Sequence, residues 1–298
     1  MTNALFLSPE TAPHDLALGA VALTSRDPER LVPFYRDGVG LDVLSTGETI
    51  VLGAGGRPLV EITRRPDAAR AAVRAPGLFH MAIRVPDRAS LAARLLALHH
   101  MGLRMGASDH LVSEALYVDD PDGNGIEIYR DRPAEEWPRT PDGAIAMATL
   151  PLDLAALARE APPAAHPAPA GTEMGRVPAP AGTDMGHVHL KVSDLEAARR
   201  FWVDTVGLTI MARYPGALFV SADGYHHHLG LNTWQSSGAP APAAGTAGLD
   251  HFTVRLPLAA VEALGQRLAA AGVEFTALEG GGLTVRDPSG NTAQFRPA

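Results

Sequence analysis

Alternating apolar and polar positions mark four segments that open alike. They are GAVALTSRD from Gly19, LFHMAIRVPD from Leu78, GHVHLKVSD from Gly186 and LDHFTVRLP from Leu249. A period of two over so few residues predicts a strand with one buried face. In the first three, Asp27, Asp87 and Asp194 stand before helix-like runs, where a carboxylate can cap free backbone N–H groups. The four runs are PERLVPFYRDGVG, RASLAARLLALHHMG, LEAARRFWVDTVG and LAAVEALGQRLAAAG, ending near Gly40, Gly102, Gly207 and Gly272. Glycine there suits a left-handed stop. Each run is followed by room for three more strands, with turn signals at Asp122-Gly123, Asp223-Gly224 and Ser289-Gly290.

The repeat unit is therefore β-α-β-β-β, four times over. The expected fold is α+β: four βαβββ modules forming two curved mixed-sheet clefts with helices outside. Residues 16–133 hold one pair of modules and residues 185–298 the other. Residues 134–184 read as a linker, Pro/Ala-rich from about Pro151, with a short helix expected over Leu152 to Glu160. The linker contains a near-duplicate, PAPAGTEMGRV (Pro167 to Val177) followed by PAPAGTDMGHV (Pro178 to Val188).

The repeats register against one another. The position seven residues before the capping aspartate is Ala20, His80 and His187, and His251 takes it in the fourth module. On the last strand the matching positions are Glu61, Glu127, Gly230 and Gln294.

Composition narrows the chemistry. Of 298 residues, 46% are hydrophobic and 19% charged, so the chain can bury a sizeable core. A net charge of −8 argues against a nucleic-acid or anionic-membrane partner. With no cysteine, disulfides, thiolate metal sites and a cysteine nucleophile are excluded, and the twelve histidines with the carboxylates must carry any chemistry. No membrane-length apolar run and no basic, secretory-type N-terminus is present, so the expected location is the cytoplasm. GAGGRP (Gly53 to Pro58) precedes a strand and reads as a hairpin turn, not a phosphate loop. Ser113 and Ser193 lack a nucleophile elbow. His99 and His100 end a helix, where imidazole suits the last carbonyls. His14 and His166 carry no signal.

Outside the linker and the first fifteen residues, the chain resembles the vicinal oxygen chelate superfamily of glyoxalases, bleomycin-resistance proteins and extradiol dioxygenases. DHLVSEALYVDDPDGNGIEIYRDRP (Asp109 to Pro133), GHVHLKVSDL (Gly186 to Leu195) and GYHHHLGLNTW (Gly224 to Trp234) are similar to the catechol 2,3-dioxygenase branch. The resemblance implies two histidines and one carboxylate on a non-haem Fe(II), or Mn(II), that chelates a small aromatic diol and binds O2. Modules 1 and 2 together offer one histidine and two carboxylates. Modules 3 and 4 offer His187 and His251 but no carboxylate. Modules 2 and 3 supply the whole set: His80, Glu127 and His187. Better-known extradiol enzymes build their site from modules 3 and 4, so this chain departs from them. Glu61 then reads as a relic.

The resemblance also implies a catalytic Tyr117, ten residues before Glu127, with His110 seven before the tyrosine. A further acid/base histidine comes from His226, His227 and His228. Aligning LGL selects His227, whereas strand alternation from Gly230 selects His228. His189, His226 and His228 become substrate-binding candidates. A homo-oligomer is implied. The alternatives are a glyoxalase- or isomerase-type metalloenzyme, or a metal-free small-molecule binding protein.

Overall fold

The computed structural model describes residues 15–141, 143, 145–166 and 176–298. The N-terminal segment with His14, and the first copy of the linker duplicate as far as Gly175, lie outside the described residues.

Module 1 comprises β1 (Ala17–Ser25), β2 (Asp42–Ser45), β3 (Thr49–Ala54) and β4 (Arg57–Arg64). Module 2 comprises β5 (Gly77–Arg84), α1 (Arg88–His100), β6 (Gly106–Asp109), β7 (Ser113–Asp119) and β8 (Gly125–Asp131). A short α2 (Leu154–Ala158) lies in the linker. Module 3 contains β9 (Asp184–Lys191), α3 (Leu195–Arg199), β10 (Thr209–Tyr214), β11 (Ala217–Ser221) and β12 (Leu229–Asn232). Module 4 contains β13 (Gly248–Leu256), α4 (Leu258–Ala270), β14 (Phe275–Leu278), β15 (Gly282–Arg286) and β16 (Thr292–Pro297). No helix among the described residues is long and apolar enough to cross a membrane.

The crossover helices differ in pairs. Modules 2 and 4 carry regular 13-residue helices. Module 1 has only a 3-10 turn at Pro28–Arg30 and a π-helical turn at Phe34–Val39, and module 3 follows α3 with a π-helical turn at Arg200–Thr205. Capping follows this division. Asp87 accepts from the Ser90 N–H and Asp194 from the Ala197 N–H, but Asp27 makes no side-chain cap bond. The single tight turn after Asp27, with proline at its first position, leaves no capping bond to that carboxylate.

Two eight-stranded mixed sheets result. One runs β10-β11-β12-β9-β5-β8-β7-β6 and the other β14-β15-β16-β13-β1-β4-β3-β2. Sheets therefore form across the two halves: module 2 shares one with module 3, and module 1 shares the other with module 4. Each is centred on an antiparallel pair, β5 with β9 and β1 with β13, flanked by parallel neighbours.

Strand alternation divides the faces. Met81, Ile83, Val188 and Leu190 are fully buried in an apolar core that also takes Leu23, Ile62, Phe252 and Phe295 from the other sheet. The residues between them face the sheet's cleft. Turns with matching sequences tie the sheets together. Asp120 opens DPDGN, accepts the N–H groups of Asp122 and Asn124 at 2.9 Å each, and also accepts the Tyr35 hydroxyl of module 1 at 2.9 Å. Asp287 opens DPSGN and accepts the Ser289 and Asn291 N–H groups at 2.8 and 2.9 Å.

The described parts of the segment between the halves pack closely. Leu157, Ala161, Ala165 and Ala179 are buried, and Leu150 bridges to Asp109 on β6.

Candidate metal centre and its cleft

On the three strands at the middle of the module 2/3 sheet, Ala82 pairs with Glu127 of β8 on one side and His187 of β9 on the other. Its methyl group leaves the space above the sheet to the flanking side chains. His80, two residues earlier on β5, faces the same way. The Nε2 atoms of His80 and His187 each stand 3.0 Å from Glu127 Oε2. One nitrogen or oxygen from each of the three lies within 4.8 Å of the others, and all three residues are buried.

Burial alone would push the Glu127 carboxyl up. The imidazoles of His187 and His80 outweigh it and hold the group well below the usual carboxylate range. Burial also lowers His187, against the pull of Glu127. One carboxylate therefore faces two imidazoles in a dry site, and His80 Nε2 has no hydrogen-bond partner. A buried orphan nitrogen is unfavourable. A divalent cation bound by both Nε2 atoms and the carboxylate removes the deficit, and two imidazoles with one carboxylate match the facial set of non-haem iron sites. The residues present fit such an ion.

Tyr117 of β7 pairs with Glu127 across the strands. His110 Nδ1 is 2.7 Å from the Ala148 carbonyl, and its Nε2 is 2.7 Å from Tyr117 Oη. A carbonyl only accepts, so Nδ1 carries the proton, and the phenol donates to Nε2. Burial raises the Tyr117 hydroxyl well above the usual phenol range, reinforced by Glu127.

The three consecutive histidines point to different places. The His227 ring lies against His187 with centroids 4.1 Å apart. His226 sits beside it: its Nδ1 is 2.8 Å from His227 Nδ1, and its Nε2 is 2.8 Å from Asp131 Oδ1. His228 is not brought to the cluster. Its Nδ1 is 2.8 Å from Ser221 Oγ and 3.3 Å from the Ala222 nitrogen, and burial lowers it to about 4. The close turn before β12 sets aside the simple alternation that would have turned His228 toward the cleft. His189 is buried beside His80, ring centroids 4.9 Å apart, and bonds Asn232 at 3.0 Å. Phe79, Phe219 and Trp234 surround it at 5.0, 5.6 and 5.6 Å.

Gly230, at the register position of Glu127, pairs with His189. A Cβ there would lie 2.7 Å from the His189 ring, so the imidazole occupies the space of the missing side chain.

The other sheet repeats the register without the ligands. Ala22 pairs with both Glu61 and His251, so Ala20, Glu61 and His251 take the places of His80, Glu127 and His187. A methyl group stands where the first imidazole would be. His251 bonds its neighbour Asp250 at 2.7 Å, and the Gln294 side-chain oxygen accepts from Arg296 at 2.9 and 3.1 Å. His187 and His251 lie in different sheets. Among the described residues, His80, Glu127 and His187 form the only set with metal-ligand spacing.

Some neighbours were not read from the sequence. Tyr129 and Asp131 follow Glu127 at steps of two, and alternation would have found them. Asp131 also accepts the Tyr225 hydroxyl at 2.9 Å. The Ala148 carbonyl and Trp137, whose ring is 5.4 Å from His226, belong to the segment read as a linker and give no local signal.

Comparison with known proteins follows the same lines. The profile described as Glyoxalase/Bleomycin resistance protein/Dioxygenase superfamily matches residues 17–128 and 184–295. Over 248 residues, 82% of this chain and 84% of the relative, the sequence is 40% identical to a catechol-2,3-dioxygenase of Bacillus subtilis (strain 168). A solved structure of a candidate dioxygenase from Bacillus subtilis subsp. subtilis str. 168 has a TM-score of 0.64 at 14% identity, covering 94% of this chain and 84% of that one. Glyoxalase I from Zea mays has a TM-score of 0.56 at 16% identity, covering 94% and 92%. At these identities the two structures speak for the fold alone. With both halves matched, four repeated modules and a catechol-2,3-dioxygenase homologue along most of its length, this chain belongs to the glyoxalase/bleomycin resistance protein/dioxygenase superfamily.

Proposed function

We propose that this protein is an extradiol ring-cleaving dioxygenase. It inserts both atoms of O2 into a small catecholic substrate and yields a muconic semialdehyde-type product. The ion is Fe(II), with Mn(II) as the alternative, held by His80, Glu127 and His187. The carrying observation is the buried convergence of these three side chains beside the Tyr117–His110 pair, in a chain 40% identical to a catechol-2,3-dioxygenase.

When bound, the metal supplies Lewis acidity toward the catechol oxygens and a place for O2 next to them. The protein supplies the rest. The triad carries one negative charge, which leaves a divalent site at +1, suited to an anionic diol. The Tyr117 hydroxyl, positioned by His110, turns its one proton from His110 Nε2 to a substrate oxygen that gains charge. His227 takes up and returns a proton at a ring nitrogen. When His226 carries one proton, donated to Asp131, its Nδ1 accepts from His227 Nδ1–H. That leaves His227 Nε2 free as the base. His189 lies on the substrate side, within the aromatic wall. An isomerase of the glyoxalase type would call for a second carboxylate, and the matching position holds Gly230, its space filled by His189.

The test is to load the purified protein with Fe(II) without air and then add catechol and O2. The expected result is a yellow product, with both oxygen atoms derived from labelled O2. Full metal loading without O2 uptake on any catechol overturns the reading. Tyr117→Phe is expected to keep its metal and to lose turnover on the order of 10²-fold. Metal analysis beside steady-state rates checks both parts.

A further inference from the structure

Among the 25 Lys and Arg residues of this chain, one is a lysine, Lys191. It lies on β9, the strand that carries His187 and His189. From Val188 to Lys191 the pairing with β12 runs without a shift, Val188 opposite Leu229 and Lys191 opposite Asn232. Val188 and Leu190 are fully buried in the core, so His187, His189 and Lys191 share the cleft face. The residue opposite Lys191 on β12 agrees, since the Asn232 amide reaches His189 at 3.0 Å. On the other side Lys191 faces Gly77, which brings no side chain. At about 3.3 Å per residue, its Cα stands about 13 Å along the strand from that of His187 and about 7 Å from that of His189. A four-carbon stem lets the ammonium cover much of the distance back toward the metal centre.

Lys191 is half-buried, and its ammonium makes no ion pair or hydrogen bond among the described residues. Burial lowers its pKa, with no carboxylate opposing the shift. The arginines near the cleft differ: Arg84 is paired with Asp131 and Asp184, and Arg130 and Arg132 with Glu114. Between Lys191 and the triad lies the aromatic wall of Phe79, Phe219 and Trp234 around His189. This end of the cleft thus offers a flat apolar surface followed by one uncompensated cation.

We propose that Lys191 binds an anionic group on the ring substituent, so that the preferred substrates are catechols bearing a carboxylate on a short side chain. The proposal rests on the catechol reading above. The diol would lie at the triad, the ring beside His189 and the aromatic wall, and the carboxylate at the ammonium. A charge-assisted hydrogen bond in a partly dry site corresponds to a preference of about 10- to 100-fold.

Two measurements test it. In the first, kcat/KM is determined for 3,4-dihydroxyphenylacetate and for 4-methylcatechol with the wild-type enzyme, Lys191→Met and Lys191→Arg. The ratio of the two values is expected to fall about 10- to 100-fold in Lys191→Met and to return most of the way in Lys191→Arg. An unchanged ratio in Lys191→Met overturns the proposal. The second measurement needs no turnover. The sole lysine is acetylated with an amine-reactive ester, and its peptide is followed by mass spectrometry with each compound present. Protection by 3,4-dihydroxyphenylacetate and not by 4-methylcatechol is expected; equal labelling at saturating ligand overturns the proposal. A protein that protects Lys191 with the carboxylate but opens no ring fails the dioxygenase reading alone. One that opens 4-methylcatechol without protection or a changed ratio fails the lysine assignment alone.

Discussion

At the scale of single residues, the site depends on side chains that are present and on one that is absent. His80, Glu127 and His187 converge over Ala82, and each provides a donor that the other two cannot replace. His80→Ala, Glu127→Ala and His187→Ala are each expected to abolish metal binding, while His251→Ala and Gln294→Ala retain about one ion per chain. Elemental analysis of the purified variants decides this, and two ions per wild-type chain would contradict it. Gly230 is the absent side chain. Gly230→Ala places a Cβ where the His189 ring lies, in a buried row between β9 and β11. The expected loss is about 1–3 kcal/mol of stability, read from denaturant midpoints. These residue types and spacings were legible in the sequence: both histidines, Glu127, Tyr117 and His110 follow from registering the repeats and from the family they resemble. Alignment of LGL with that family pointed to His227, whereas strand alternation pointed to His228, because alternation does not register the turn that breaks it.

At the scale of elements, similar sequence signals produced different local structures. Asp87 and Asp194 cap helices with side-chain bonds of 2.7 and 2.8 Å, while Asp27 caps nothing. Asp87→Ala is therefore expected to lower stability by about 1 kcal/mol, and Asp27→Ala by less than about 0.5 kcal/mol, in parallel thermal and urea unfolding. The capping motif could be read from the sequence, but its use depends on whether a regular helix follows. The 134–184 segment shows the same limit. Its composition reads as a connector, yet it brings the Ala148 carbonyl to His110 and the Trp137 ring to His226. Such contacts have no periodicity to announce them, because they are made by irregular chain against a surface built elsewhere.

At the scale of the whole molecule, the halves of the sequence are not the units of the sheets. Modules 1 and 2 are neighbours in sequence but lie in different sheets, joined across the core by the Tyr35 hydroxyl on Asp120. Tyr35 is fully buried, and burial raises the Asp120 carboxyl while its hydrogen bonds oppose the rise. Tyr35→Phe removes one of the two donors to Asp120 Oδ2 and leaves the Asn124 amide as the other. The expected destabilisation is about 1–3 kcal/mol, with the urea transition moved as a whole rather than split in two. By itself the sequence determined the four modules, their strand faces and the register of the candidate ligand positions, because periods of two and about 3.6 are set by backbone geometry within a few residues. It also held the complete candidate ligand set in modules 2 and 3. The ligand inventory pointed to modules 2 and 3 facing each other, but only the tertiary structure decided that β5 meets β9 while β1 meets β13, which brings His80, Glu127 and His187 together and leaves the other cleft with Ala20 at the position of His80. Which strand edges meet depends on burying apolar faces contributed by distant segments, and no local pattern carries that information.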